Sequence, residues 1–183
     1  MKRLTLLLAL ITISASAQNL KKIRLNLTNA IVIAQTDKME DRYSLEINTT
    51  ELLNSYNIKA VPSLNIMKLG QSPLVLISDS IVKLINQSGI DTYLLLSVRG
   101  FDRRFKVSGV KDDLETALGL SGLFGLFRED IVSISFEVKF FRASRLIYSE
   151  IIKCGNIGDR ESVIKRFRKK LRKRITKKWG SKF

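Results

Sequence analysis

The first half of the chain alternates between apolar runs and segments with helical spacing. Ala30–Ala34 is a short apolar run of the length expected for a buried strand. The next segment repeats along one helical face, at Leu45, Thr49, Leu52, Leu53 and Tyr56. Asn57, a residue type that tolerates the left-handed conformation, then leads into a second strand over Ile58–Val61, which Pro62 ends. This part of the chain predicts a strand, a helix and a second strand.

A second helix and a third strand follow. Ser78 or Asp79 is suited to begin the helix. Its apolar positions are Ile81, Val82, Leu84 and Ile85. Ser88-Gly89 is suited to end it, and Thr92–Val98 is apolar enough for a buried strand. The resulting order, βαβαβ, is typical of a parallel or mixed sheet.

The second half begins with a strict alternation of apolar and polar residues. The apolar set is Val132, Ile134, Phe136, Val138 and Phe140. Because successive strand residues point to opposite faces, the alternation predicts a half-exposed, antiparallel strand. Arg145–Lys153 is its returning partner in a hairpin, and Asp159 or Ser162 begins the last helix. The predicted fold class is α/β (α+β): a mixed sheet of about five strands, βαβαβ then a β-hairpin and a closing amphipathic helix, with the helices mainly on one face.

The amino terminus has the three parts of a secretory signal peptide. Met1–Arg3 is basic, Leu4–Ile13 is apolar, and Ser14–Ala17 supplies small residues for cleavage. An apolar run of about ten residues is too short to cross a bilayer core of about 30 Å. We therefore expect residues 1–17 to be a signal peptide. Residues 18–183 are expected to form a single exported domain, periplasmic or secreted, with no transmembrane span.

Positive charge is concentrated at the carboxy terminus. The chain has 32 Lys and Arg against 17 Asp and Glu, and residues 159–183 alone hold twelve of these cations with two acids. Apolar residues at helical spacing predict an amphipathic helix over residues 159–179, packed by one face on the sheet. The candidate residues for contact with an anion or a membrane are Lys165, Arg166, Lys169, Lys170, Arg172, Lys173 and Lys177. A solvated face without a ligand is the alternative interpretation.

Residues 117–128 form an apolar stretch that three glycines interrupt, with neither helical nor strand periodicity. An exposed apolar loop marks a contact with a partner. The candidate contact residues are Leu123, Phe124, Leu126 and Phe127. The alternative is that these side chains fold back over one end of the core.

The composition excludes several kinds of site. With no histidine, the chain cannot form a Ser-His-Asp triad, a Cys-His pair or a His-containing zinc site. Its single cysteine, Cys154, is predicted to be buried, with an intermolecular bond as the alternative. Acids at 37–41 and 112–115 precede predicted helices, where they stabilise free N–H groups. We predict no metal, no organic cofactor and no catalytic residue.

Two other functions stay open. An envelope hydrolase would use carboxylates or a Ser-Lys pair, and Ser80–Lys83 matches the bare Ser-x-x-Lys pattern without its accompanying motifs. An exported binder of nucleic acid or an acidic polymer would depend on the basic helix. Nucleic acid is the less favoured ligand, because Asp102 interrupts the RNP1-like segment 99–107 and export separates the chain from RNA.

Three segments carry a resemblance to a known family. They are "NIKAVPS", "SIVKLINQSGIDTYLLLSVRG" and, after the predicted hairpin, "SVIKRFRKKLRKRI". Their order resembles the small periplasmic α/β domain at the amino terminus of TolB and the curli-export-like envelope accessory proteins. This chain departs from that family in having no lipobox cysteine and a more basic final helix.

The resemblance implies a non-enzymatic role in the cell envelope and supplies no catalytic residues. Together with the predicted export and the basic helix, it leads us to expect an exported accessory or binding protein. The expected partner is an envelope protein or an anionic lipid or lipopolysaccharide surface. The sequence shows no feature of a site for a small-molecule substrate.

Overall fold

The computed structural model describes residues 24–67, 71–101, 113–119, 125–127 and 131–180. The strands are β1 (Asn29–Gln35), β2 (Lys59–Pro62), β3 (Thr92–Phe101), β4 (Ser133–Arg142) and β5 (Arg145–Gly155). The helices are α1 (Met39–Asn54), α2 (Asp79–Gln87), α3 (Leu114–Gly119) and α4 (Arg160–Arg174). Short 3₁₀ turns occupy Ser63–Asn65 and Pro73–Ile77, and a π-helical turn, Ile175–Trp179, continues α4. The predicted signal peptide lies outside the described residues.

The sheet is mixed and has the strand order β2-β1-β3-β4-β5. β1 pairs in parallel with β2 and with β3, whereas β3, β4 and β5 pair antiparallel. Ala143 and Ser144 form the hairpin turn between β4 and β5, with φ values of 46° and 61°. Two positive φ values are what a two-residue type I′ hairpin turn requires. The predicted fold class, including the hairpin and the closing helix, is confirmed.

Helices cover both faces of the sheet, which corrects the prediction that they lie mainly on one face. α1 and α4 pack on one face, where Leu45 and Phe167 join the larger apolar core. α2, α3 and the 3₁₀ turn at 73–77 pack on the other face, where Leu76 and Ile85 join the smaller core. In the sheet, β2 lies on one side of β1 and β3 lies on the other. The connection from β1 to β2 therefore runs toward one edge of the sheet, and the connection from β2 to β3 runs in the opposite direction. Because such crossovers are right-handed, opposite steps place their helices on opposite faces.

β4 is buried on both faces, which corrects the prediction of a half-exposed strand. Its polar row, Ser133, Ser135, Glu137 and Lys139, is between 1% and 6% exposed. Arg99 Nε lies 3.3 Å from Glu137 Oε2, and Lys139 Nζ lies 3.9 Å from the same oxygen. Both faces of β4 are therefore buried, one lined by apolar side chains and the other by polar and charged ones. The charged side chains can be buried because Glu137 is paired with Arg99 and Lys139.

Candidate functional site

α4 begins with a capping box. Asp159 accepts a hydrogen bond from the backbone N–H of Ser162 at 2.6 Å, and the Ser162 hydroxyl accepts one from the backbone N–H of Asp159 at 3.1 Å. These two bonds satisfy N–H groups that have no partner within the helix. The predicted start of the last helix at Asp159 or Ser162 is therefore confirmed.

The apolar face of α4 and its π-helical turn is fully packed against the sheet. Its members, all between 0% and 1% exposed, are Val163, Phe167, Leu171, Ile175 and Trp179. The ring of Phe167 lies 4.7 Å from that of Phe136, and the ring of Trp179 lies 4.9 Å from that of Phe140. Aromatic rings at such distances stabilise a packing arrangement beyond their buried area. α4 is thus a rigid part of the fold, and its orientation determines which side chains face solvent.

Four cations at the borders of this packed face form ion pairs with acids elsewhere in the fold. The pairs are Arg160 with Asp41 (2.7 Å), Arg168 with Glu51 (3.0 Å), Arg174 with Glu150 (3.1 Å) and Lys178 with Glu150 (3.2 Å). Trp179 Nε1 also donates to Glu150 Oε1 at 2.7 Å. Burial opposes the charge of Lys178, but the hydrogen bond and the charge of Glu150 outweigh it, so the pKa of Lys178 is raised.

The remaining cations of the helix are the seven candidate residues named from the sequence. The structure brings all of them to the solvent side of α4 and the π-helical turn, where every one is exposed. Within the described ranges, none of the seven side chains has a hydrogen-bond or ion-pair partner. We call this set, Lys165, Arg166, Lys169, Lys170, Arg172, Lys173 and Lys177, the basic face.

The basic face borders two open grooves. One groove, of about 680 Å³, is lined by Ser162, Lys165, Arg166, Arg168, Lys169 and Arg172. The second, of about 320 Å³, lies beside the carboxyl end of β5. Its lining is Gly155, Asn156, Arg166, Lys169, Lys170 and Lys173. Among the described residues that line them, both grooves present guanidinium and ammonium donors and no carboxylate, an arrangement that favours an anionic ligand.

Cys154 lies under α4 beside the second groove. It is a free thiol with no exposed surface, so the predicted burial is confirmed. Burial raises the pKa of the thiol to about 12, although the nearby charges of Lys170 and Arg166 act in the opposite direction. A thiol in this state is not a reactive nucleophile.

The apolar stretch 117–128 is described only in part. Leu126 is fully buried, and Phe127 is partly buried against the same core. The backbone N–H of Leu126 donates to Asp41 Oδ2 at 2.7 Å. The alternative in which the stretch folds back over the core agrees with these positions. Leu123 and Phe124 lie outside the described residues, and their proposed contact with a partner stays a prediction.

The features considered for catalysis are dispersed. Ser80 and Lys83 are both exposed on α2, and in the described part of the chain neither side chain is hydrogen-bonded. Asp113 accepts a hydrogen bond from the backbone N–H of Thr116 at 2.8 Å, which lowers the pKa of its carboxyl group. This is the predicted capping role. Over the described ranges, acidic side chains and Cys154 form no group of three suited to hold a metal ion.

Sequence reasoning missed a buried polar cluster beneath the carboxyl end of β1. Arg42 Nε donates to Glu46 Oε1 at 2.9 Å, and that carboxylate also accepts from the Ser63 hydroxyl at 2.8 Å and from the Ala34 N–H at 3.0 Å. A groove of about 360 Å³ opens beside Arg42 and Gln35. The available signal was the Arg-x-x-x-Glu spacing in α1, which places the two side chains on one helical face.

Comparisons with known proteins do not place this chain in a family. No protein-family model matches it, and no curated protein matches it. None of the helices in the described ranges combines the length and apolar character needed to cross a bilayer.

Some solved structures share part of the arrangement. PelC from a dodecamer of Paraburkholderia phytofirmans is 10% identical, with a TM-score of 0.45, over 87% of this chain and 91% of its own. A lipoprotein from Neisseria meningitidis is 10% identical, with a TM-score of 0.39, over 70% of this chain and 80% of its own. Sequence identities and TM-scores as low as these do not allow a function to be inferred for this chain. Neither structure is a TolB or a curli-export protein, and that resemblance stays a prediction.

Proposed function

We propose that this chain is a non-enzymatic, exported binding protein of the cell envelope, and that its basic face binds an anionic partner. The observation that carries the proposal is the division of the cations on α4. Those at the borders of the packed face are neutralised by Asp41, Glu51 and Glu150, whereas the seven on the basic face have no acidic partner among the described residues. A rigid array of unpaired cations attracts anions through a field that several charges share.

The physical cost of the basic face supports the same interpretation. Like charges three or four residues apart destabilise a helix by about 0.2–0.5 kcal/mol for each pair. Lys169, for example, lies four residues from both Lys165 and Lys173. Arg166 and Lys170 form another pair with this spacing. An anionic partner would offset the repulsion between these cations. Binding of an anion is therefore expected to stabilise the helix as well as the complex.

The test compares two triple variants that lower the net charge equally. K169Q/K170Q/K173Q removes cations from the basic face, and K38Q/K83Q/K153Q removes exposed cations elsewhere. Binding to phosphatidylglycerol vesicles and to dextran sulfate is measured by co-sedimentation and titration in low salt. At about 1 kcal/mol for each cation near an anionic surface, we expect the first variant to bind about 100-fold more weakly.

The control variant is expected to retain most of the binding. Equal weakening in the two variants would mean that net charge alone governs binding, and it would contradict the proposal. The absence of binding by the unmodified protein to either polyanion would also contradict it. Circular dichroism of both variants provides the check that α4 is intact.

A further inference from the structure

The outer edge of β5 has no neighbouring strand among the described residues. β5 is the last strand of the sheet and has eleven residues, of which Tyr148–Gly155 pair with Ser133–Phe140 in unbroken register. On its other side, no backbone group of β5 has a hydrogen-bond partner in the part of the chain that the structure describes. Such an edge is a template for an additional strand.

α4 runs antiparallel to β5 along this open edge. In the middle of α4, Arg166 and Lys170 line a groove together with Gly155, the last residue of β5. Further along, Arg174 and then Lys178 reach back to Glu150. The opposite flank of α4 faces α1, because Arg168 pairs there with Glu51.

The basic face therefore divides into two rows. Arg166, Lys170, Lys173 and Lys177 recur at intervals of four, three and four residues, on the flank of α4 nearer β5. We call these four residues the edge row. Lys165 and Arg172 lie further round the helix toward α1, and Lys169 lies between the two rows and lines both grooves. The groove at Gly155 and Asn156 joins the edge row to the end of β5.

The edge row has the length of a short extended peptide. At 1.5 Å per helical residue, the row has steps of about 4.5–6 Å and a total length of about 16 Å. A strand rises about 3.3 Å per residue, so a segment of about six residues spans the row, and long side chains bridge the difference between its repeat of about 6.7 Å and the steps of the row. A strand added to β5 would direct every second side chain toward the face of the sheet on which α4 lies.

We propose, on the basis of the proposed function, that the anionic partner is a protein that supplies an extended segment with acidic residues at alternate positions. The segment pairs with Tyr148–Gly155 as a sixth strand. Its backbone bonds to the open edge of β5, and its carboxylates contact the edge row. Backbone pairing provides affinity that does not depend on sequence, and the acidic residues provide selectivity.

Two other occupants fit the same surface less well. Antiparallel pairing of β5 with a second copy of β5 would place α4 of both copies on one face of the joined sheet, with the two edge rows against each other. A lipid bilayer would contact the basic face through charge alone, because the apolar face of α4 is fully buried against the sheet, and it would supply no backbone groups to pair with β5. An acidic peptide meets neither difficulty.

The first test uses a synthetic peptide with glutamate at every second position and valine or threonine between. Two further forms carry N-methyl groups on alternate backbone amides, in the two opposite registers. Only one register of amides faces β5 when a strand adds to an edge. In low salt, fluorescence anisotropy is therefore expected to show that one methylated form loses binding and that the other keeps it.

The second test compares two double variants with equal net charge. K170Q/K173Q alters the edge row, and K165Q/R172Q alters the other row. Since each exposed ion pair contributes modestly, we expect the first variant to bind the peptide about tenfold more weakly. The second variant is expected to bind nearly as the unmodified protein does, whereas both variants should bind dextran sulfate more weakly.

The outcomes separate this inference from the proposed function. Equal binding of the two methylated peptides, or equal weakening by the two double variants, overturns strand addition. Binding to dextran sulfate or vesicles without binding to the peptide also overturns it, while the proposed function stands. Failure to bind any of these anionic probes overturns both.

Discussion

Single acidic side chains decide the role of each cation on α4. Glu150 is 7% exposed and holds Arg174, Lys178 and the indole of Trp179 together, with contacts of 2.7–3.2 Å. These residues are therefore bound to the fold. Lys177, directly before Lys178, points to solvent without a partner in the described ranges. Two neighbouring lysines thus differ in their surroundings, because Lys178 is paired within the fold and Lys177 is exposed.

Cys154 gives a prediction about pH. Because burial raises the pKa of its thiol from 9.0 to about 12, the folded state holds a proton that the unfolded state releases. The free energy of unfolding is therefore expected to fall as the pH rises from 9 toward 12. Cys154→Ala lacks this contribution, so its urea midpoint should fall less steeply over that range, despite a lower stability at neutral pH. Identical slopes for the two proteins would contradict the prediction.

The hairpin turn gives a second prediction at this scale. Ala143 and Ser144 both have positive φ, a conformation that costs an L-residue about 1–2 kcal/mol. Asn followed by Gly is the favoured pair in a type I′ turn. A143N/S144G is therefore expected to raise the free energy of unfolding by about 1 kcal/mol, as measured by urea denaturation. A lower urea midpoint in this variant would contradict the prediction, because it would mean that Ala143 and Ser144 stabilise the fold more than Asn and Gly do.

At the scale of elements, α4 closes the larger core. It covers β4 and β5 through Phe167, Leu171 and Trp179, none of which is exposed. Fully burying such a side chain contributes about 1.5–3 kcal/mol. Because ordinary domains are stable by about 5–15 kcal/mol, we expect the fold to depend on this helix. The basic face and a large part of the core are therefore two sides of one element.

Phe167→Ala tests this dependence. Removal of a buried phenylalanine costs about 3–5 kcal/mol, so we expect a much lower thermal midpoint and, near it, red-shifted tryptophan emission. The emission reports on α4 directly, because Trp179 is the single tryptophan of the chain. The control is Lys169→Gln, which should change stability by less than about 0.5 kcal/mol. A midpoint that Phe167→Ala leaves unchanged would show that α4 is not part of the core.

At the scale of the whole molecule, positive charge is concentrated on the last helix, since residues 159–183 hold twelve Lys and Arg but two acids. The chain carries a formal net charge of +15. Arg160 and Arg168 are paired across the α1–α4 interface with Asp41 and Glu51, so acids of α1 neutralise that side of α4. The cations of the helix that have no acidic partner in the described ranges all lie on one surface, the basic face. The cations of this surface repel one another and attract anions, and the range of both effects shortens as the ionic strength rises.

This distribution predicts how stability depends on salt. Added sodium chloride screens the repulsion within the basic face, so the thermal midpoint is expected to rise between low and moderate salt. The rise should be smaller in K169Q/K170Q/K173Q, which lacks much of that repulsion. Arg168→Gln removes a paired cation instead and should keep most of the rise. A midpoint that falls with salt in the unmodified protein would mean that its ion pairs outweigh the repulsion.

The local pattern of the sequence was sufficient to predict most elements. Helical spacing in residues 45–56 and 163–179 placed α1 and α4, because an amphipathic helix shows its buried face directly in the period of its apolar residues. The composition also excluded histidine chemistry without any structure. The list of candidate cations required only that the apolar residues of α4 face inward.

Tertiary structure decided what depends on distant partners. Burial of Glu137 and Lys139 in β4 could not be predicted, because their charges are compensated by each other and by Arg99 from a different strand. For the same reason the sequence did not distinguish paired from unpaired cations on α4, since the acids that neutralise them lie more than twenty residues away. The position of β5 at the edge of the described sheet likewise follows from strand order. Local sequence patterns show which residues are apolar or charged and with what period they recur. Which charges meet depends on distance in space, and that distance is known only from the fold.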